Sequence, residues 1–318
     1  MVTDHVFPSL ETERRKLAEI GADLIEAPGT SEEEIVGAAR DADGMLVCYA
    51  EITRKVIESL EKCRVIGRYG IGVNNIDLEA ATEKGIQVAN VPDYCVDEVS
   101  DHALALLLAC ARKIPQLDRT VKEGRWDFRE QRPMFRVRGR TLGLVGFGKI
   151  ARALAHKAQA LGFKVVAYDP YVAEDEARAR GVALVGLQEL LSTADFVSVH
   201  APLTRETRGL LGERELSWMK PTAYVINTAR AEVVDEGALR RALVEGRIAG
   251  AALDVLAGER SDTGDPLVAM DRVILTPHCA FYSEESLQEL QLRAVEEVVR
   301  GLKGEPLRSL VNREVLGR

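Results

Sequence analysis

Arg230, Glu259 and His278 are the side chains best placed for chemistry in this 318-residue chain. Each follows an apolar run that reads as a strand: 224–227, 251–253 and 273–275. In an open parallel sheet, ligands collect beyond the carboxyl ends of the strands. That rule puts the three residues, and Asp254 with them, on one edge. An arginine there forks onto a carboxylate and polarises the neighbouring carbonyl. A histidine gives a proton to the carbonyl oxygen as hydride arrives and takes it back in reverse, help typically worth about 10²–10⁴-fold. Glu259 would orient the imidazole and raise its pKa above the usual value of about 6.5. The set suits hydride transfer at a carbinol or ketone carbon. Each residue also has a plainer reading. Arg230 with Glu232 makes a surface ion pair. His278 is a satisfied, half-buried histidine. Glu259, in the polar loop 258–265, is solvated unless it pairs with His278.

Hydride transfer needs a carrier, and residues 141–169 read as its cradle. The order is apolar run, Gly146-Phe147-Gly148, helical pattern, second apolar run, Asp169. Gly146 permits a tight turn, and Gly148 lets a pyrophosphate approach without a Cβ in the way. Ala151 holds the third small position, where helix and strand pack closely. The helix opening at Lys149 and Ile150 offers free N–H groups to phosphates. Asp169 accepts from ribose hydroxyls and repels a 2′-phosphate, so NAD is favoured over NADP. His200 and Pro202, in the run HAPLT, end another strand and line the same cleft without doing chemistry. Thr228 and Ala229 precede Arg230 on the cofactor edge. His5, His102 and His156 read as structural.

The elements that must position these groups alternate between strand-like and helical runs from end to end, which argues for an α/β fold with parallel sheets. Strands are expected at 43–49, 64–69 and 86–91, then at 142–145, 164–168, 196–199, 224–227, 251–253 and 273–275. The opening strand, 1–3, is stubby. Residues 100–112 are apolar almost all round and read as a buried helix and candidate domain connector. The loop 124–140 carries Trp126, Phe128 and Phe135. It packs either on a partner subunit or over its own domain. Ser283 begins a last helix with Glu284 and Glu285 in its first turn, and Gly304 and Pro306 end it.

Bulk properties exclude several classes. The chain is 46% hydrophobic and 29% charged, the balance of a globular protein, and its length suggests two domains. A net charge of −8 lacks the electrostatic footprint for a nucleic-acid backbone. The longest apolar run, 103–111, is too short to cross a bilayer, and no signal peptide is expected. The five cysteines form no CxxC pair, so neither a metal site nor a redox motif is expected. They read as small buried residues in a reducing cytoplasm.

Taken in order, six segments resemble the D-isomer-specific 2-hydroxyacid dehydrogenases: GRYGIGVNNIDLEAATEKGI at 67–86, VGFGKIARALA at 145–155, HAPLT at 200–204, INTARAEVVDEGAL at 226–239, LDV at 253–255 and TPHCAFYSEES at 276–286. The last is most similar to the branch of C-terminal-binding proteins and phosphoglycerate dehydrogenase-like enzymes. The resemblance implies two Rossmann-like domains around a cleft. One is a discontinuous, flavodoxin-like substrate domain, 1–97 with 285–318; the other is an NAD-binding domain, 98–284. It implies catalytic Arg230, Glu259 and His278, an Asp254 that holds the nicotinamide amide, and a homodimer formed through the cofactor domain. It also implies that Gly70, Gly72 and Val73 bind the substrate carboxylate, with Arg68 as a second cation and Phe281 in the pocket where the corepressors carry tryptophan. Departures fall at Ala151, Asn74, Ala231-Glu232 and Arg260; the last two positions bear on substrate identity more than on activity. The implied function is an NAD-dependent D-2-hydroxyacid dehydrogenase working as a 2-keto acid reductase, with phosphoglycerate oxidation as one version of it. Serine-type feedback through an added domain is not expected. A second class, an NAD(H)-gated corepressor-like scaffold, is disfavoured by the shortness of both tails.

Overall fold

The computed structural model describes residues 1–259 and 264–317, without the Glu259 side chain. Arg260, singled out above, lies outside the described residues. The chain forms two compact units, Met1–Tyr94 with Ser283–Arg318, and Cys95–Tyr282. The boundaries expected from sequence fall two or three residues further along.

The first unit is built on three parallel strands in the order β1 (Gly44–Val47), β2 (Val65–Arg68), β3 (Gln87–Ala89). Val2 bridges both Leu46 and Glu26, so the stubby opening strand is a single pair of bridges beside β1. The helix Glu284–Lys303 closes the unit. Ser283 caps it by accepting from the Ser286 N–H, and Gly304 ends it in the left-handed region. Leu290, Ala294, Val295 and Val298 form its buried face. A Cβ at Gly67 would lie 2.7 Å from Val298, and one at Gly301 would lie 2.6 Å from Val65, so glycine is what allows helix and sheet to touch. Full burial of a side chain such as Leu290 contributes roughly 1.5–3 kcal/mol.

The second unit holds seven parallel strands: β4 (Thr141–Val145), β5 (Lys164–Tyr168), β6 (Ala183–Leu184), β7 (Phe196–Val199), β8 (Tyr224–Asn227), β9 (Gly250–Leu253) and β10 (Val273–Leu275). Their order is β10-β9-β8-β7-β4-β5-β6. Strands β7 and β9 are buried along their whole length, which is why they read as apolar runs, broken only by Ser198. The chain runs outward from β4 through β5 to β6, then returns to place β7 on the other side of β4. That reversal opens a crevice at the carboxyl ends of β4 and β7.

Three local expectations change. The two-residue strand β6 escapes a sequence reading because it is too short to show a period. The helix expected at 100–112 runs Val96–Arg112 and belongs to the second unit. It is not buried all round, since Asp101, Ala105 and Arg112 are exposed. Its buried residues, including Ala103, Leu106 and Leu107, pack with Leu142, Leu154 and Ile226. Lys113 then turns left-handed, and a further helix, Ile114–Lys122, starts with Pro115 in its first turn. In the loop that follows, Trp126 is 89% exposed and Phe128 is 63% exposed. No described helix is long and apolar enough to cross a membrane.

Candidate active site

All seven strands of the second unit point the same way, so their carboxyl ends share one edge. Gly146 follows β4, Asp169 follows β5, His200 follows β7, Thr228 follows β8, Asp254 follows β9 and Thr276 follows β10.

The glycine turn shows two separate demands. Gly146 has φ +90°, and a Cβ there would sit 2.7 Å from the Ala201 N and 2.9 Å from the His200 carbonyl carbon. The turn and the neighbouring strand end both exclude a side chain. Gly148 has ordinary extended backbone, and a Cβ there would meet nothing within 4 Å. That position is open among the described residues. Behind it the helix Lys149–Ala160 starts with no side chain capping its first turn, at Lys149 and Ile150, and Ala151 is fully buried. An open approach to uncapped N–H groups fits a pyrophosphate. Asp169 accepts from the Phe147 N–H (2.8 Å) and the Tyr171 N–H (2.9 Å), which ties the end of β5 to the glycine turn. Both carboxylate oxygens keep capacity for a ribose hydroxyl. The Thr228 hydroxyl is buried with no hydrogen-bond partner among the described residues. These features fit a dinucleotide.

His200 lies beside the turn. Its Nε2 is 2.9 Å from the Ser198 hydroxyl, and burial pushes its pKa down to about 4. The ring is therefore neutral near pH 7, which suits a lining role. Pro202 is exposed; its carbonyl accepts from the Thr207 hydroxyl.

Arg230 sits on a turn closed by Asn227. The Asn227 amide donates to the Arg230 carbonyl (2.9 Å), and its oxygen accepts from the Ala229 N–H (3.0 Å). Arg230 Nη1 donates to the Ala229 carbonyl (2.7 Å), and the residue is half-buried. His278 has φ +49°, a left-handed conformation uncommon outside glycine. Its N–H donates to the Asp254 carbonyl at 2.8 Å, and its ring meets Phe281 edge-on at 6.1 Å. Glu259 ends the short 3-10 turn Ala257–Glu259; its side chain lies outside the described residues. The approach to that turn is anchored by Glu236, which accepts from the Ala257 N–H at 3.0 Å.

Asp254 is the hub of this edge. It is 1% exposed and accepts from the Thr276 hydroxyl (2.6 Å), the Cys279 N–H (3.0 Å) and the Ala280 N–H (2.9 Å). All three come from the loop that carries His278. His102, read from sequence as structural, joins the hub: its Nε2 lies 3.0 Å from the Thr276 hydroxyl and 3.7 Å from Asp254 Oδ1. The sequence alone did not show the hydrogen bonds made by Asn227, Thr276 and His102. The first two stand beside chosen residues, so a search for turn-closing side chains would have found them. His102 is 174 positions from Thr276 and left no local signal.

In the first unit, Arg68 Nη1 donates to the Tyr69 carbonyl (2.5 Å), and its Nε is buried without a hydrogen-bond partner among the described residues. The guanidinium occupies the space a Cβ at Gly70 would need, and Gly70 has φ +141°. Gly72 and Val73 continue this loop. The Asn90 side chain braces it by donating to the Ile71 carbonyl at 2.7 Å.

Two parallel α/β units, a glycine turn at the strand-order reversal and an arginine–histidine edge define a class: nicotinamide-linked dehydrogenases. The family model for the D-isomer specific 2-hydroxyacid dehydrogenase NAD binding domain matches residues 104–280, and the chain belongs to that family. D-3-phosphoglycerate dehydrogenase of Methanocaldococcus jannaschii is 40% identical over 98% of this chain, which spans 59% of that protein's length. Glyoxylate reductase of Korarchaeum cryptofilum is 40% identical over 92% of this chain and 89% of its own. Among solved structures, D-lactate dehydrogenase from Aquifex aeolicus, complexed with NAD and lactic acid, superposes with a TM-score of 0.89. It is 28% identical, and the match covers 96% of this chain and 95% of that one.

Proposed function

We propose that this protein is an NAD-dependent D-2-hydroxyacid dehydrogenase that reduces small 2-keto acids. The observation that carries the reading is the Asp254 hub, which fixes the loop of His278 on the same strand-end edge as Arg230 and the glycine turn. Gly146, Gly148, Lys149, Ile150, Asp169, His200, Pro202, Thr228, Ala229 and Asp254 hold the dinucleotide. When bound, the nicotinamide supplies the hydride. Arg230 forks onto the substrate carboxylate and polarises its keto oxygen. His278 gives the proton to that oxygen and recovers it in the reverse reaction. Glu259 orients the imidazole and stabilises its charged form. Gly70, Gly72 and Val73 bind the carboxylate, Arg68 supplies a second cation and Phe281 gives the pocket an apolar wall. Relatives named for phosphoglycerate, glyoxylate and lactate make these three the first substrates to try, as their keto or hydroxy forms. The protein works in the cytoplasm as a homodimer.

The test is NADH oxidation with glyoxylate, hydroxypyruvate, pyruvate, phenylpyruvate and 4-methylthio-2-oxobutyrate, and NAD reduction with 3-phosphoglycerate. Silence with all of them would defeat the enzyme reading. His278→Ala should lower kcat by about 10²–10⁴-fold with NADH binding, followed by fluorescence, unchanged. Full turnover in that variant refutes the proton-transfer role.

A further inference from the structure

The geometry points to His102 as a positioning residue for His278, acting through a directed hydrogen-bond chain from His102 to Thr276 to Asp254. The inference rests on the reading of His278 as the proton donor.

Thr276 has one hydroxyl hydrogen. At 2.6 Å from Asp254 Oδ1, that hydrogen is donated to the carboxylate oxygen. The Thr276 oxygen can then meet His102 Nε2, 3.0 Å away, only as an acceptor. His102 must therefore carry its proton on Nε2 and donate. Were Nε2 bare, two acceptors would compete for one hydrogen, and one short contact would become a repulsion between lone pairs. The helix Val96–Arg112 that carries His102 is packed on the sheet through Ala103, Leu106 and Leu107, so the donor is fixed in place.

What the chain holds is the turn at His278. Asp254 grips the loop on both sides of that residue, through the Thr276 hydroxyl before it and the Cys279 and Ala280 N–H groups after it. Between those grips, His278 keeps a φ of +49°. A left-handed non-glycine residue persists only where its surroundings over-determine it. His102 fixes the orientation of the Thr276 hydroxyl, hence the first grip, hence the direction in which the imidazole leaves the turn. It touches neither substrate nor the reacting atoms.

Two variants and one spectroscopic measurement decide the matter. His102→Leu removes the donor and fills the space; His102→Gln restores an N–H at the reach of Nε2. In His102→Leu, kcat should fall about tenfold or more, within the ~10²–10⁴-fold that the acid–base group supplies. The NADH dissociation constant should hold, and His102→Gln should recover most of the rate. Unchanged kcat in His102→Leu overturns the inference. So does an equal loss in both variants, or a loss that appears in NADH affinity instead, since either marks a packing role. Independently of turnover, ¹⁵N NMR of the ring should show the Nε2–H form of His102; a bare Nε2 overturns the chain. If the wild-type protein reduces no 2-keto acid, the dehydrogenase reading has failed, and the tautomer measurement still judges the hydrogen-bond chain.

Discussion

Asp169 and His200 flank the same glycine turn and do different work. Asp169, proposed as the ribose acceptor, is also a brace, because it holds the Phe147 N–H. Asp169→Gly should therefore raise the NADPH/NADH ratio of kcat/KM while lowering NADH affinity, through loss of the brace. Steady-state kinetics with both cofactors checks this, and an unchanged ratio counts against the NAD argument. His200 is held neutral by burial, with a pKa of about 4 against an ordinary value of about 6.5. Protonation is harder in the folded state than in the unfolded chain. The contribution is complete above pH 6.5 and drains away as pH falls toward 4, by at most about 1.4 kcal/mol per pH unit. Urea melts between pH 6.5 and 5 should show a shallower loss of stability in His200→Gln than in the wild type. Parallel curves would rule this out.

At the scale of elements, the site depends on turns that follow parallel strands. The turn after β4 needs glycine for two reasons, a φ of +90° and the backbone of His200–Ala201 close by. Gly146→Ala should cost at least the roughly 1–2 kcal/mol of a left-handed residue, with the contact at 2.7 Å adding to it. A thermal melt should show Tm lowered by several degrees, together with weakened NADH binding; a Tm equal to the wild type would contradict the packing. Nearly every strand of the second unit is legible in the sequence, since each is a mostly apolar run of β-favouring residues. Strand β6 and the helix Ile114–Lys122 are not, because neither announces itself by composition. The helix Val96–Arg112 is less buried than its sequence suggests. The exposed Asp101 and Arg112 show an amphipathic element lying on a sheet.

For the whole molecule, the two units differ in how openly the sequence describes them. The discontinuous first unit follows from the family resemblance, and its last helix is legible through Ser283, Glu284 and Glu285. The exposed Trp126 and Phe128 are large apolar side chains with high exposure, the kind of anchor that enriches interfaces. If they serve the proposed homodimer, Trp126→Ser should shift sedimentation toward the monomer without a loss of helix content. A dimer that survives the change would place the interface elsewhere. The sequence by itself determined what depends on local pattern: the strand ends, the glycine turn, the acid after β5 and the types of the reacting groups. Spacing along the chain could order Arg230, Glu259 and His278 on one edge because parallel strands share a direction. Only the tertiary structure decided how that edge is held. The left-handed turn at His278, the three-fold grip of Asp254 and the approach of His102 from 174 positions away arise where a helix packs on a sheet. Such contacts depend on the fit of distant surfaces, which no periodicity in the chain encodes.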